Sequence, residues 1–324
     1  MTRIASLDGL RAYSVAFVLL GHMATVDAAP APLAGYAHLG VEVFFVISGF
    51  IITWLLLKER DETGTISLGN FYRRRFFRII PACYLYVAIA FALHHDRFSF
   101  HNLVYVLGFA TNYDLGRPPA LGHLWSLAVE EQFYLLWPII LLLFFRTRKK
   151  IILVALFLSP LITLTIRHVP ELKSWEGSLL ANYDTLAMGC LGALAYESLS
   201  FLRSRWFILC APAAIVLSWP AWGTIHFLQP LSHLCIAAFV IHATRHRYLL
   251  LNAAPLVWIG TISYGIYLWQ SIFLWSTHPE LSPVFSLAAA CASYYGMERP
   301  IVQWSRASWP NSSHVIEIAE ATEC

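Results

Sequence analysis

Charge is what this sequence has least of: Asp, Glu, Lys and Arg make up 13% of its 324 residues, against about 25% in soluble domains. With 58% hydrophobic residues and a mean hydropathy of +0.60, that scarcity excludes an ordinary soluble globule. No Cys-x-x-Cys and no Cys/His metal spacing is present. The six cysteines (Cys83, Cys190, Cys210, Cys235, Cys291 and Cys324) stand singly, five of them in or beside apolar runs, which reads as packing. There is no internal repeat and no stretch with the composition of a separate soluble domain. Neither a metal nor nucleic acid is expected as a ligand. What is there is a succession of apolar runs of about 17–20 residues, the signature of an all-α, polytopic membrane protein.

Ten such runs are legible, near 10–26, 39–57, 79–93, 129–145, 151–167, 183–199, 206–222, 226–242, 256–275 and 281–297. An eleventh, NLVYVLGFA (102–110), is too short for a bilayer of about 30 Å at about 1.5 Å per residue. If it does not span and the N-terminus is cytoplasmic, 18 Lys and Arg lie inside and 4 outside, the 4 being Arg97, Arg117, Arg167 and Lys173. If it spans, the split is 11 to 11. The positive-inside rule therefore selects ten spans with both termini cytoplasmic. Residues 94–128 become an outer loop that dips back into the protein, where protein or a water-filled cavity must cover it. A cleaved signal peptide is a competing reading of the N-terminus. Asp8, Arg11 and His22 speak against it, since they interrupt the regions such a peptide needs.

Within LDGLRAYSVAFVLLGHM (7–23), Arg11 and His22 are eleven residues apart. That is about three helical turns, so both project from one face, about 16 Å apart along the axis. Asp8 shares the stripe and can pair with Arg11. An ionisable group buried in a span is a candidate functional group, and imidazole suits proton transfer. A packing hydrogen bond to another helix is the other reading of His22. Glu42, at the start of the second span, is expected at the depth of His22 and able to orient it; alternatively it is solvated among headgroups. Ser48-Gly49 reads as a close helix approach rather than a nucleophile.

FYRRRFFRIIP (71–81) holds four arginines at the inner face. Topology and attraction to acidic lipid account for such a cluster. Arg75 and Arg78, one turn apart, can also hold one multiply charged anion. In GHLWSLAVEEQFYLLWP (122–138), Glu130, Tyr134 and Trp137 share a face, and Glu130 with Glu131 can simply favour a helix N-terminus. The density of His123, Trp125, Ser126, Glu130 and Tyr134 suggests an aromatic and polar wall suited to sugar. Asp184, Tyr264, Tyr267, Gln270 and the Glu298-Arg299-Pro300 turn read as structural. The tail 305–324 is short and cytoplasmic, and its Asn311-Ser-Ser triplet is not expected to be glycosylated.

Seven stretches together resemble the acyltransferase 3 family of integral-membrane O-acyltransferases, which includes O-antigen and exopolysaccharide O-acetylases. They are LDGLRAYSVAFVLLGH, LGVEVFFVISGFIIT, FYRRRFFRIIPACYLY, HLWSLAVEEQFYLLWP, YDTLAMGCLGALAYE, ISYGIYLWQ and YYGMERPIVQW, in family order from Leu7 to Trp304. The resemblance implies one transmembrane acyltransferase domain over 1–304, in a bacterial inner membrane. The family's Arg/Lys-x10-His pattern falls on Arg11 and His22, and its Arg-x-x-Arg on Arg75 and Arg78. The activity implied by the resemblance is transfer of an acyl group, commonly acetyl, from acetyl-CoA or another acyl-CoA to a hydroxyl of an envelope glycan or glycolipid. Arg75 and Arg78, helped by Arg11, would hold the donor. His22 would be the base, directly or through an acyl-enzyme, with Glu42 or Glu130 orienting it or binding the acceptor. Gln270 departs from the family, standing where many members have histidine. No esterase-like domain follows the spans, so the chain is expected to act alone or with separate export or glycan-assembly partners. A secondary transporter or glycan flippase is the alternative; the inverted repeats and broken helices expected of a transporter are not evident in the sequence.

Overall fold

A computed structural model describes residues 4–169, 178–219 and 228–309. Lys173, Cys324 and the Asn311 triplet lie outside them, as do parts of the seventh and eighth expected spans. Among the described residues every regular element is helical.

The helix α1 (Ala5–Ala24) leads through a short loop into α2 (Tyr36–Thr63), which Gly64 ends in a left-handed conformation at φ +81°. Next come α3 (Leu68–His94) and the outer loop, which carries α4 (Phe100–Leu107). Beyond it are α5 (Leu124–Phe157), α6 (Ser159–His168), α7 (Tyr183–Leu194), α8 (Cys210–Leu217) and α9 (Gln229–Arg245). The chain closes with α10 (Ala254–Thr261), α11 (Ser263–Leu274), α12 (Ser282–Ser293), a π-helical turn at Tyr294–Glu298 and α13 (Arg299–Ser308).

Among the described residues, three helical stretches, Ala31–Thr63, Leu68–Arg97 and Pro119–Phe144, are long and apolar enough to cross a membrane. The bent pair α10 and α11 would make a fourth. Two expected boundaries differ. Residues 146–150 are expected between spans, yet α5 runs through them to Phe157. No Gly, Pro, Asn or Asp interrupts that stretch, and Arg and Lys are good helix formers; the break comes at Ser159-Pro160, where proline suits the first turn of α6. The expected ninth span, 256–275, breaks at Ile262 with a bend of 68°.

Glycines permit close helix contacts. A Cβ on Gly49 of α2 would fall on the Leu186 carbonyl of α7, and one on Gly189 would fall on the Val46 carbonyl. Likewise, a Cβ on Gly260 would strike the Asp8 carbonyl, which wedges α1 against α10. Small residues permit this approach where apolar burial alone gives helices no reason to associate.

The outer loop is packed rather than splayed. Its Asn102 amide donates to Asp114 at 2.7 Å, and Asp114 is buried. Arg117 donates to the backbone carbonyl of Asp114 at 2.7 Å, and Gln132 of α5 reaches the Phe109 carbonyl at 2.9 Å. At eight residues α4 spans only about 12 Å, in keeping with its place in a loop.

Candidate active site

Helices α1, α2, α3, α5 and α11 converge on a central cavity of about 60 Å³, room for roughly four waters. Its wall takes Arg11 from α1, Ser48 from α2, Arg75 and Arg78 from α3, and Ser126, Glu130 and Tyr134 from α5. The first turns of α11 supply Ser263, Tyr264 and Tyr267. Ser48 donates to Glu130 Oε1 at 2.6 Å and accepts from the Tyr134 hydroxyl at 3.1 Å. The Arg75 guanidinium lies over the Tyr134 ring, 4.8 Å from its centre. Arg11 is within electrostatic reach of Arg78, Asp8 and Glu130. A basic, aromatic chamber with one hydrogen-bonded carboxylate can hold an anion and the polar head of an acyl donor.

Five of the expected site residues thus share the wall with Arg11: Arg75, Arg78, Ser126, Glu130 and Tyr134. Trp137, expected on the face of Glu130, is buried and donates to Thr53 Oγ1 at 2.8 Å. His22, Glu42, His123 and Trp125 are not part of that wall.

His22 has a defined partner. Its Nδ1 is 3.2 Å from Gln270 Oε1, while the Gln270 amide nitrogen donates to the Tyr267 carbonyl at 3.0 Å. A carbonyl can only accept, so the amide nitrogen must face Tyr267 and the amide oxygen must face His22. Nδ1 therefore carries a proton, and Nε2 has no hydrogen-bond partner among the described residues. Gln270 is buried, so the ring is held by a fixed group. Tyr267, one turn before Gln270 on α11, belongs to the cavity wall. That turn joins the imidazole to the chamber.

The expected Glu42–His22 pair is not formed. Glu42 Oε1 takes His233 Nε2 of α9 at 2.9 Å and lies 3.2 Å from His38 Nε2, while His233 Nδ1 meets Asp184 Oδ2 of α7 at 2.7 Å. The reason is depth. Gly21 packs on Ala37, which puts His22 level with the first turn of α2, whereas Glu42 sits five residues, about 7 Å, further along. Glu42, His233 and Asp184 are all buried and tie α2, α9 and α7 together.

His123, expected to line a sugar site, is buried, and its Nε2 donates to the Leu268 carbonyl at 3.1 Å. Trp125 is half-buried, stacked on His38 with ring centres 6.3 Å apart. His233 escapes the sequence reading although the rule that singles out His22, an ionisable group inside an apolar run, applies to it equally. Gln270 is visible there only as a departure from a family pattern. Its role rests on α11 lying beside α1, which no local pattern encodes.

The family model of an acyltransferase domain matches residues 4–297. The peptidoglycan O-acetyltransferase OatA of Listeria monocytogenes is 31% identical to this chain, over 86% of the chain and 50% of the relative. The O-acetyltransferase OatA of Staphylococcus aureus is 29% identical, over 82% of the chain and 50% of the relative. The chain thus spans about half the length of these curated relatives. No solved structure matches it significantly.

Proposed function

This chain belongs to the acyltransferase 3 family, and on that footing we propose that it moves an acetyl group from a cytoplasmic acyl-CoA to a hydroxyl of a cell-wall glycan. It does so in the bacterial plasma membrane, through ten spans with both termini inside. Peptidoglycan as the acceptor is suggested by relatives such as the peptidoglycan O-acetyltransferase of Listeria.

One observation carries the reading: an imidazole whose proton is fixed on Nδ1 by Gln270, one turn of α11 from a chamber walled by Arg11, Arg75 and Arg78. The guanidiniums draw in the anionic donor from the inner face. Nε2 of His22 takes the proton of the acceptor hydroxyl, and the resulting oxygen attacks the thioester carbonyl. A C–O ester bond forms as the C–S bond breaks, and the imidazolium returns its proton to the leaving thiolate. The Glu130–Ser48–Tyr134 network, with both hydroxyl protons engaged within it, keeps the chamber's shape around the donor's carbonyl end. His123 packs beneath α11 rather than meeting sugar, and Trp125 with His38 presents an aromatic face toward the outer side for the acceptor.

The test follows thiol release from acetyl-CoA by the purified chain in lipid nanodiscs, with a muramyl glycan as acceptor. Turnover lost in His22→Ala, with normal expression and insertion, supports the reading; equal turnover in both defeats it. The bent α10–α11 pair is the one feature among the described residues resembling a transporter's discontinuous helices. Passage of intact label into vesicles without thiol release would favour that second reading.

A further inference from the structure

The arginines of RRRFFR do not act as one cluster. Arg75 faces the central cavity, Arg74 faces a second recess of about 50 Å³, and Arg78 lines both. Tyr264 is the other residue common to the two. The second recess lies where α3 meets the π-helical turn and α13, which bring Arg299 and Arg306 opposite Arg74 and Arg78. Four guanidiniums therefore surround the recess's one carboxylate, Glu298, and that carboxylate already accepts from Ser293 Oγ at 2.6 Å. A second carboxylate, Glu59, reaches Arg74 from outside the recess at 4.0 Å. Phe77 and Tyr294 add aromatic faces to the same wall.

Positive-inside topology asks only that such residues be on the inner side. It does not account for arginines more than 200 positions apart in sequence converging on one concavity against their mutual repulsion. π-Helical turns are rare and frequent at functional sites, and this one supplies Tyr294 and Glu298 to the recess.

We infer that this recess binds the phosphate-bearing nucleotide end of the acyl-CoA, with Arg299 and Arg306 closing on its phosphates and the acyl arm passing Arg78 and Tyr264 into the central cavity. The inference rests on the donor proposed above. The arginines then divide by the part of the donor each meets. Arg74, Arg299 and Arg306 meet the nucleotide, Arg75 and Arg11 meet the acyl end, and Arg78 stands between. Guanidiniums suit phosphate through paired N–H donors, and the aromatic faces suit a purine ring. An acidic lipid headgroup offers the same phosphate chemistry from the inner leaflet.

The test uses the full chain in neutral-lipid nanodiscs, wild type, Arg299→Gln and Arg306→Gln. Binding of coenzyme A is measured by calorimetry, and thiol release is measured with acetyl-CoA and with S-acetylpantetheine, which lacks the nucleotide. Arg306→Gln should weaken coenzyme A binding about tenfold, and exposed Arg299→Gln about threefold. kcat/KM for acetyl-CoA should fall in step, while that for S-acetylpantetheine stays at the wild-type value, which also certifies the fold. Unchanged coenzyme A binding in both variants overturns the inference, as does equal loss with both thioesters. Repeating the binding in phosphatidylglycerol nanodiscs separates the sources. If the variants lose lipid retention but keep coenzyme A affinity, the recess is a lipid site and the inference fails. If wild type binds coenzyme A through these arginines yet releases no thiol from either thioester, the transfer reading fails and this inference stands.

Discussion

Replacing Gln270 by leucine removes the acceptor that fixes the proton of His22 on Nδ1, with little change in side-chain volume. The lost contact is one part-buried hydrogen bond of 3.2 Å between neutral groups, whose net worth is about 0.5–1.5 kcal/mol. If that energy serves to hold the productive tautomer, the rate falls about two- to tenfold. The loss should appear in kcat rather than KM, because Gln270 touches the proposed base and not the donor. His22→Ala removes the proposed base itself and should cost about 10²–10⁴. The double variant is the decisive measurement: with His22 gone, Gln270 has nothing to position, so adding Gln270→Leu should cost nothing more. Gln270→Glu also accepts from Nδ1 and should keep most of the activity. Thiol release from acetyl-CoA by purified protein reads all four. A wild-type rate in Gln270→Leu, or losses that add in the double variant, would refute the assignment of Gln270 as the positioning residue.

Arg75→Ala should raise KM for acetyl-CoA about tenfold, because it empties the cavity wall beside Tyr134; an unchanged KM would leave that arginine a topology signal. His233→Ala leaves Glu42 and Asp184 buried without the imidazole between them and should cost about 3–5 kcal/mol, read as a lower Tm in detergent; an unchanged Tm would show the triad to be idle. Gly49→Val forces α2 off the Leu186 carbonyl and should cost about 1–3 kcal/mol by overpacking, measured the same way. A Tm equal to that of wild type would mean the two backbones have more room than this packing gives.

Legible in the sequence is whatever depends on local spacing. The helical character and the close approach at Gly49 follow from periodicity and residue size. Pairings across long sequence separations are not legible. Adjacent, antiparallel helices suggest Glu42 for His22, but depth depends on how many residues the connecting loop consumes. The actual partner of Glu42, His233, is 191 residues away. The break at Ile262 is hidden for a related reason: nothing in GTISYG forbids a straight helix, and the bend arises where α10 is wedged against α1 at Gly260. The arginine cluster is legible as a cluster and not as two sets, since which side each guanidinium takes depends on α13.

The amide of Gln270 has a consequence for the energetics of the membrane as a whole. A titratable group at this point could relay charge away from the base toward one face of the bilayer. An amide neither gains nor loses a proton in water's range of acidity, so the Nδ1 side of His22 is electrically closed. Whatever proton the base collects on Nε2 leaves with the thiol from that same atom. In the proposed transfer the acetyl group then passes from donor to acceptor as an uncharged cargo, and each turnover is expected to be electroneutral, independent of the voltage and the proton gradient across the membrane.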